Sequence, residues 1–273
     1  MLNCLKESFK LTNKYIILAT PLILFSLLSS LYILFSFRGD LINMLTALVL
    51  FVFMLAAFLS GWAYMLKLAV PDSQSEDPNL LIKEFPAGVG EYFLPALGLL
   101  LNVFVLSVLF MIAVYFAGMK LIGDVGISAS ALQSAFESTE TLKNFLISLP
   151  KEQVLKLNLW NLLILAAMGV EYFLLMFHLP AVVFKSGNPF KAFFISLKDL
   201  FSKAFFKNLA LYLLLFFSYA VLSILTTIFS VNVITHFIFT LINFYYLVFV
   251  AVLVFNYYYV NFIKIGGKFD ETV

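Results

Sequence analysis

Six stretches of this chain are each long and apolar enough to cross a bilayer: about residues 15–37, 41–68, 92–118, 157–184, 208–231 and 235–263. A helix needs roughly 20 mostly apolar residues to cover ~30 Å of hydrocarbon. Backbone polar groups in lipid must be satisfied within the segment, so each stretch is predicted to be helical. Of 273 residues, 63% are hydrophobic and 12% charged, whereas soluble domains run near 45–50% and ~25%. The predicted fold class is all-α: a polytopic integral membrane protein with one membrane domain over residues 1–273. The first stretch follows Lys6, Lys10 and Lys14, as the core of a signal peptide would. It lacks a small-x-small cleavage site and leads at once into a second span, so it is expected to be retained.

Charge sets the orientation. With a cytoplasmic N-terminus, Lys6, Lys10, Lys14, Lys67, Lys83, Lys185, Lys191, Lys198, Lys203, Lys207, Lys264 and Lys268 fall inside. Arg38, Lys120, Lys143, Lys151 and Lys156 fall outside, which leaves five of the 17 basic residues there. The positive-inside rule then places both termini in the cytoplasm. A formal net charge of +2 argues against nucleic acid as a partner. Cys4, the single cysteine, excludes a disulfide framework and a cysteine-based metal site.

Three further segments are amphipathic. At about 190–206, Phe190, Phe193, Phe194, Leu197, Leu200, Phe201, Ala204 and Phe205 recur at helical spacing, and Lys191, Lys198, Asp199, Ser202 and Lys203 fall opposite. A phenylalanine face opposite a lysine face suits a helix lying in the headgroup plane. Residues 2–14 repeat the pattern with Leu2, Leu5 and Phe9 against Lys6 and Lys10. An external segment at about 128–149 sets Leu132, Phe136, Leu142, Phe145 and Leu149 against Gln133, Glu137, Glu140 and Lys143. Such helices are expected to anchor the bundle; a lid over a lateral opening is the alternative.

Ser8-Phe9-Lys10 and Ser196-Leu197-Lys198 open similar amphipathic turns ahead of a span, and the segment from Glu84 is a shorter variant. The pattern fits three parallel units, each an entry helix and two spans.

Ionisable groups at bilayer depth are expensive and mark candidate sites. Glu171 lies near the middle of the fourth stretch, and His178 follows two turns later on nearly the same face. Pro180 removes the bond to the carbonyl of Met176 and predicts a kink. Tyr257 and Asn261, four apart in the sixth stretch, are candidate partners. Glu171 reads either as a proton-binding carboxyl, as a contact for a lipid headgroup, or as a protonated acid bonded to Tyr, Ser or Asn. The sequence contains no HExxH, GxSxG or Gly-rich phosphate loop, and no two carboxylates lie together at membrane depth. A non-enzymatic protein without cofactor or metal is expected.

Residues 178–215 carry an LPA turn (Leu179, Pro180, Ala181), a short polar gap, Pro189, and an F-x-A-F-x-x-S-L helix. Phe190, Ala192, Ser196 and Leu197 hold that last pattern, and an aromatic re-entry into the membrane follows. This resembles a loose group of prokaryotic six-span membrane proteins, which includes the membrane domain accompanying some glycerophosphodiester phosphodiesterases. The resemblance implies a six-span architecture. It implies no phosphodiesterase activity, because the chain has no soluble domain of that kind.

The residues favour binding or movement of lipid or another amphiphile. The surface positions Lys191, Lys198, Lys203, Phe193, Phe194 and Phe201 would meet membrane lipids. A scaffold role beside another membrane protein and a proton-coupled carrier using Glu171 are the alternatives. The orientation has a direct test in a Cys4→Ser background. A cysteine replacing Lys143 is expected to react with an impermeant maleimide on intact cells, and one replacing Lys203 only after the membrane is opened. The reverse pattern would invert the topology.

Overall fold

A computed structural model describes residues 2–36, 41–70, 80–135 and 138–264. Arg38, Phe136, Glu137, Lys268 and the side chain of Leu132, all used above, lie outside the described residues. The regular structure is helical throughout, with no strand among the described residues. In chain order the helices are α1 (Leu2–Lys14), a 3-10 turn (Ile16–Leu18), α2 (Ala19–Ser36), α3 (Leu41–Ala69) and α4 (Leu80–Lys83). Then come α5 (Phe85–Leu121), α6 (Ala129–Ala135), α7 (Thr139–Ser148), α8 (Lys151–Leu175) and α9 (His178–Phe184). The last are α10 (Pro189–Leu200), α11 (Phe205–Phe229) and α12 (Val233–Tyr258), which ends in a π-turn (Tyr259–Ile263). Six segments are long and apolar enough to span a membrane: Ile16–Leu34, Ile42–Ala69, Phe85–Leu121, Lys151–Phe184, Phe205–Phe229 and Val233–Ile263. The chain is an all-α, multi-pass membrane protein.

Three elements refine or depart from the sequence reading. The fourth span breaks where Pro180 predicts a kink. It stops at Leu175 and restarts at His178, with Phe177 as the N-cap residue of α9. Pro180 therefore sits in a first turn, where its missing N–H has no intrahelical partner to lose. The surface helix expected over 190–206 closes at Leu200, and residues 201–204 form turns before α11. The external segment is two helices rather than one. Ser138 caps the second, accepting from the Thr141 amide at 3.1 Å.

The chain divides into two compact units, Met1–Val103 with Leu174–Val273, and Phe104–Phe173. In the first, the buried side chains gather at one end of the helices, the end that carries most of the lysines. Tyr15, Leu18, Met65, Leu66, Leu81, Phe177, Leu200, Leu211, Val248, Leu253 and Tyr258 are fully buried there. Farther along the same helices, Leu24, Leu28, Leu45, Leu50, Phe237 and Leu241 are exposed. Burial is concentrated toward that end, with Ala47 buried at the other, and apolar side chains gain little by leaving lipid. Helices in a membrane associate through close packing and polar contacts instead.

Small residues supply that packing. Cys4, Ser8 and Thr12 are the buried face of α1, which packs on α12, while Leu2 and Phe9 point outward. Ala192, Ser196 and Leu200 are the buried face of α10, which packs on α9. Asn188 starts α10 by accepting from the amides of Phe190 (3.0 Å) and Lys191 (3.1 Å), with Pro189 at the first helical position. Pro189 is seated on α5. A Cβ at Gly98 would lie 2.3 Å from Pro189 Cγ, and Asn102, one turn on, donates to the Pro189 carbonyl at 3.1 Å.

The second unit is a helical hairpin from α5 and α8 with α6 and α7 between them. Trp160 packs against Gly118, where a Cβ would come within 2.2 Å, and donates to the carbonyl of Gly123 at 3.1 Å. Gly123 and Gly126 have φ of +81° and +73°, conformations that only glycine adopts cheaply. Deeper in this hairpin, Ser107 donates to the carboxyl of Glu171.

Gly98→Ala tests the seat of α10. A methyl group against the proline ring is expected to cost about 1–3 kcal/mol by overpacking. It should lower the melting temperature of the purified protein, while Gly90→Ala, in open space, should not.

Candidate functional site

Asp199 organises the lysine-rich end. Lys185, just past α9, donates to both of its carboxylate oxygens, at 3.0 and 2.8 Å. The Tyr258 hydroxyl, from the end of α12, donates to Oδ2 at 2.6 Å. Asn208, fully buried in the first turn of α11, donates to the carbonyls of Asp199 (3.3 Å) and Leu200 (2.9 Å). It accepts from the Tyr257 hydroxyl at 2.9 Å. One carboxylate and one amide thus tie four segments together. Phe177 fills the space beside them, its ring 5.9 Å from Tyr257 in a parallel stack and 5.4 Å from Tyr258. The Lys185 ammonium lies over the rings of Tyr258 (5.5 Å) and Phe262 (5.7 Å), a cation–π contact that adds to the ion pair.

Of the residues singled out in the sequence, Tyr257 and Asn261 are bonded to each other, while Glu171 and His178 have other partners. Glu171 is bonded to Ser107, one of the partner types expected for a buried acid. His178 is buried, and its Nε2 lies 3.1 Å from the Pro189 carbonyl. A carbonyl only accepts, so Nε2 carries the proton, and Nδ1 is buried without a partner among the described residues. The His178 ring also meets the edge of Phe193 at 5.4 Å. Tyr257 serves Asn208, and Asn261 turns back to the carbonyl of Tyr257 at 2.8 Å. Among the surface positions, Lys191, Lys198, Lys203, Phe194 and Phe201 are exposed, and Phe193 is half-buried beside His178. The two-faced helix read from the sequence is three-faced: phenylalanines and lysines point outward, and small residues dock.

The sequence reading missed Asp199, Lys185, Tyr258 and Asn208 as a set. One signal was present, because Asp199 is the only acid between Lys185 and Lys207. At the other side of this end, the Asn256 amide donates to Ser8 Oγ at 3.0 Å and to Cys4 Sγ at 3.7 Å, holding α1 on α12. Burial pushes the Cys4 thiol above its ordinary pKa, which keeps it protonated and unreactive. Lys67 donates to the Tyr92 hydroxyl at 2.6 Å and lies 3.8 Å from Glu91.

Two grooves open on the first unit. One, about 350 Å³, is apolar and lined by Pro21, Leu24, Leu28, Met54, Phe58 and Phe85 among others. The other, about 270 Å³, is half polar and lies at the lysine-rich end between α1, the end of α3 and the π-turn. Among the described residues, no three His, Cys, Asp or Glu side chains gather where they could hold a metal ion.

No family model, curated protein or solved structure matches this chain. Its chemistry must be read from its own residues. They supply a docked amphipathic helix, one apolar groove and one half-polar groove.

Asp199→Asn keeps the shape but leaves the Lys185 ammonium without its counter-charge. A loss of about 1–3 kcal/mol is expected, read as a lower melting temperature in detergent. Tyr258→Phe should cost less, about 1 kcal/mol. An unchanged Asp199→Asn protein would show that this cluster does not hold α10 in place.

Proposed function

We propose that this protein binds or moves lipid, or a similar amphiphile, in a prokaryotic plasma membrane without catalysing a reaction. The observation that carries the reading is the apolar groove of about 350 Å³. Its lining comes from inside the first two spans, at Leu24, Leu28, Met54 and Phe58, and from the start of the third at Phe85. The fluid around these residues is acyl chain, and Leu24 and Leu28 are more than half exposed to it. An acyl chain is therefore the occupant that the surroundings supply. The exposed Phe194 and Phe201 beside Lys191, Lys198 and Lys203 support the reading, since they suit insertion between headgroups with both termini cytoplasmic. The resemblance to prokaryotic six-span membrane proteins rests partly on Pro180, Ala181, Ala192 and Ser196, all of which are buried around α9 and α10. Glu171, paired with Ser107, has no part in this reading.

Bilayer chains are as apolar as the groove, so occupancy gains close packing rather than hydrophobic energy. The effect of filling the groove should be correspondingly modest. Leu24→Trp and Met54→Trp are each expected to lower the lipid retained through gentle extraction by about three- to tenfold, ~0.7–1.4 kcal/mol. Native mass spectrometry of the full chain reads this directly. Retained lipid that neither substitution changes would refute the reading.

A further inference from the structure

The second groove differs in chemistry from the first and deepens the lipid reading, on which this inference rests. It is lined by Glu7, Lys10, Val70, Asn256, Tyr259 and Lys264 among others, so two ammonium groups and one carboxylate border about 270 Å³. Glu7 and Lys10 are three apart on α1, neighbours on its surface. Both are exposed, and neither makes an ion pair among the described residues. Beneath them, Asn256 uses both amide hydrogens on Ser8 and Cys4, so it fixes the wall. The far wall is the π-turn, closed by the Lys264 amide donating to the Tyr259 carbonyl at 2.9 Å. π-turns are rare and are frequent at functional sites; this one ends α12.

Depth matters too. The sixth span ends at Ile263 and the first begins at Ile16, so a groove lined by Glu7, Lys10 and Lys264 lies where hydrocarbon gives way to headgroups. We infer that this groove takes a phosphate that carries a primary amine, the chemistry shared by a phosphatidylethanolamine headgroup and free phosphoethanolamine. Lys10 takes the phosphate oxygens and Glu7 takes the ammonium, with Lys264 at the groove's border. A phosphate without an amine would leave the Glu7 carboxylate beside it unpaired, so the acid selects for the zwitterion.

The test uses the full chain reconstituted with equal phosphatidylethanolamine and phosphatidylglycerol, followed by native mass spectrometry of the retained lipid. Wild type is expected to retain phosphatidylethanolamine preferentially. Glu7→Gln should lower that preference at least about threefold, and Lys10→Gln should lower retention of both lipids by a similar factor. Both positions are exposed, so melting temperatures should stay unchanged. Saturable binding of phosphoethanolamine to delipidated wild type, weakened by Glu7→Gln, would make the soluble compound the source. Preference for the lipid without such binding would make the headgroup the source, and either result upholds the chemistry. An unchanged lipid preference in Glu7→Gln, or undiminished retention in Lys10→Gln, would overturn the inference. If Leu24→Trp still sheds lipid in that case, the acyl-chain reading stands and only the headgroup site falls. If no substitution in either groove alters retained lipid, both fall.

Discussion

The carboxylate of Asp199 is the constraint on which the lysine-rich end depends. A carboxylate largely shielded from solvent is costly unless it is paired and hydrogen-bonded, and Asp199 has both an ammonium and a phenol directed at it. Because Lys185 follows α9 and Asp199 lies near the end of α10, their pairing closes the hairpin between those helices. Tyr258 fixes that hairpin to α12, and Asn208 carries the restraint into α11. Removing Tyr257 or the Asn208 amide would strand a buried polar group, whereas Lys185 and Asp199 are partly exposed.

With that end fixed, the docking of the surface helices follows from size rather than hydrophobicity. Ser8 and Ser196 are each completely buried at the centre of their docking stripes. In both helices the next residue is apolar, Phe9 or Leu197, and the one after it, Lys10 or Lys198, is exposed. The shared Ser-apolar-Lys text thus has a common physical reason. The serine lets two backbones approach, while the apolar side chain beside it stays outside the docked stripe and the lysine is exposed. In a membrane the largest apolar residues are a poor guide to protein contacts.

The spans were legible because bilayer thickness imposes a length and backbone satisfaction imposes a helix. Four of the six helices start within three residues of the stretches read from the sequence, whereas the third and fourth begin earlier, at Phe85 and Lys151 rather than about 92 and 157. Pro180 could be read as a disturbance, but whether it kinks a helix or restarts one depends on Phe177 packing among Tyr257, Tyr258 and Phe262. Glu171 was conspicuous as an acid in an apolar run, yet its partner Ser107 lies 64 residues away. No periodicity connects the two. Asp199 was hidden for the opposite reason: among lysines it looked like an ordinary surface acid. Spacing shows which residues share a face, but long-range pairing decides what that face meets.

The concentration of burial toward one end of the first unit also bears on how its sequence can change. The two halves of α12 stand under different rules. Phe237, Ile238, Leu241 and Ile242 face lipid, whereas Val248, Val252, Leu253 and Phe255 through Tyr258 are buried. At the first set, exchange among leucine, isoleucine, valine and phenylalanine alters little beyond the contour offered to acyl chains. At the second, a single methylene more or less meets a close-packed neighbour. Substitutions should therefore accumulate along each helix as a gradient, with drift at the lipid-facing end and a nearly fixed vocabulary beside the lysines.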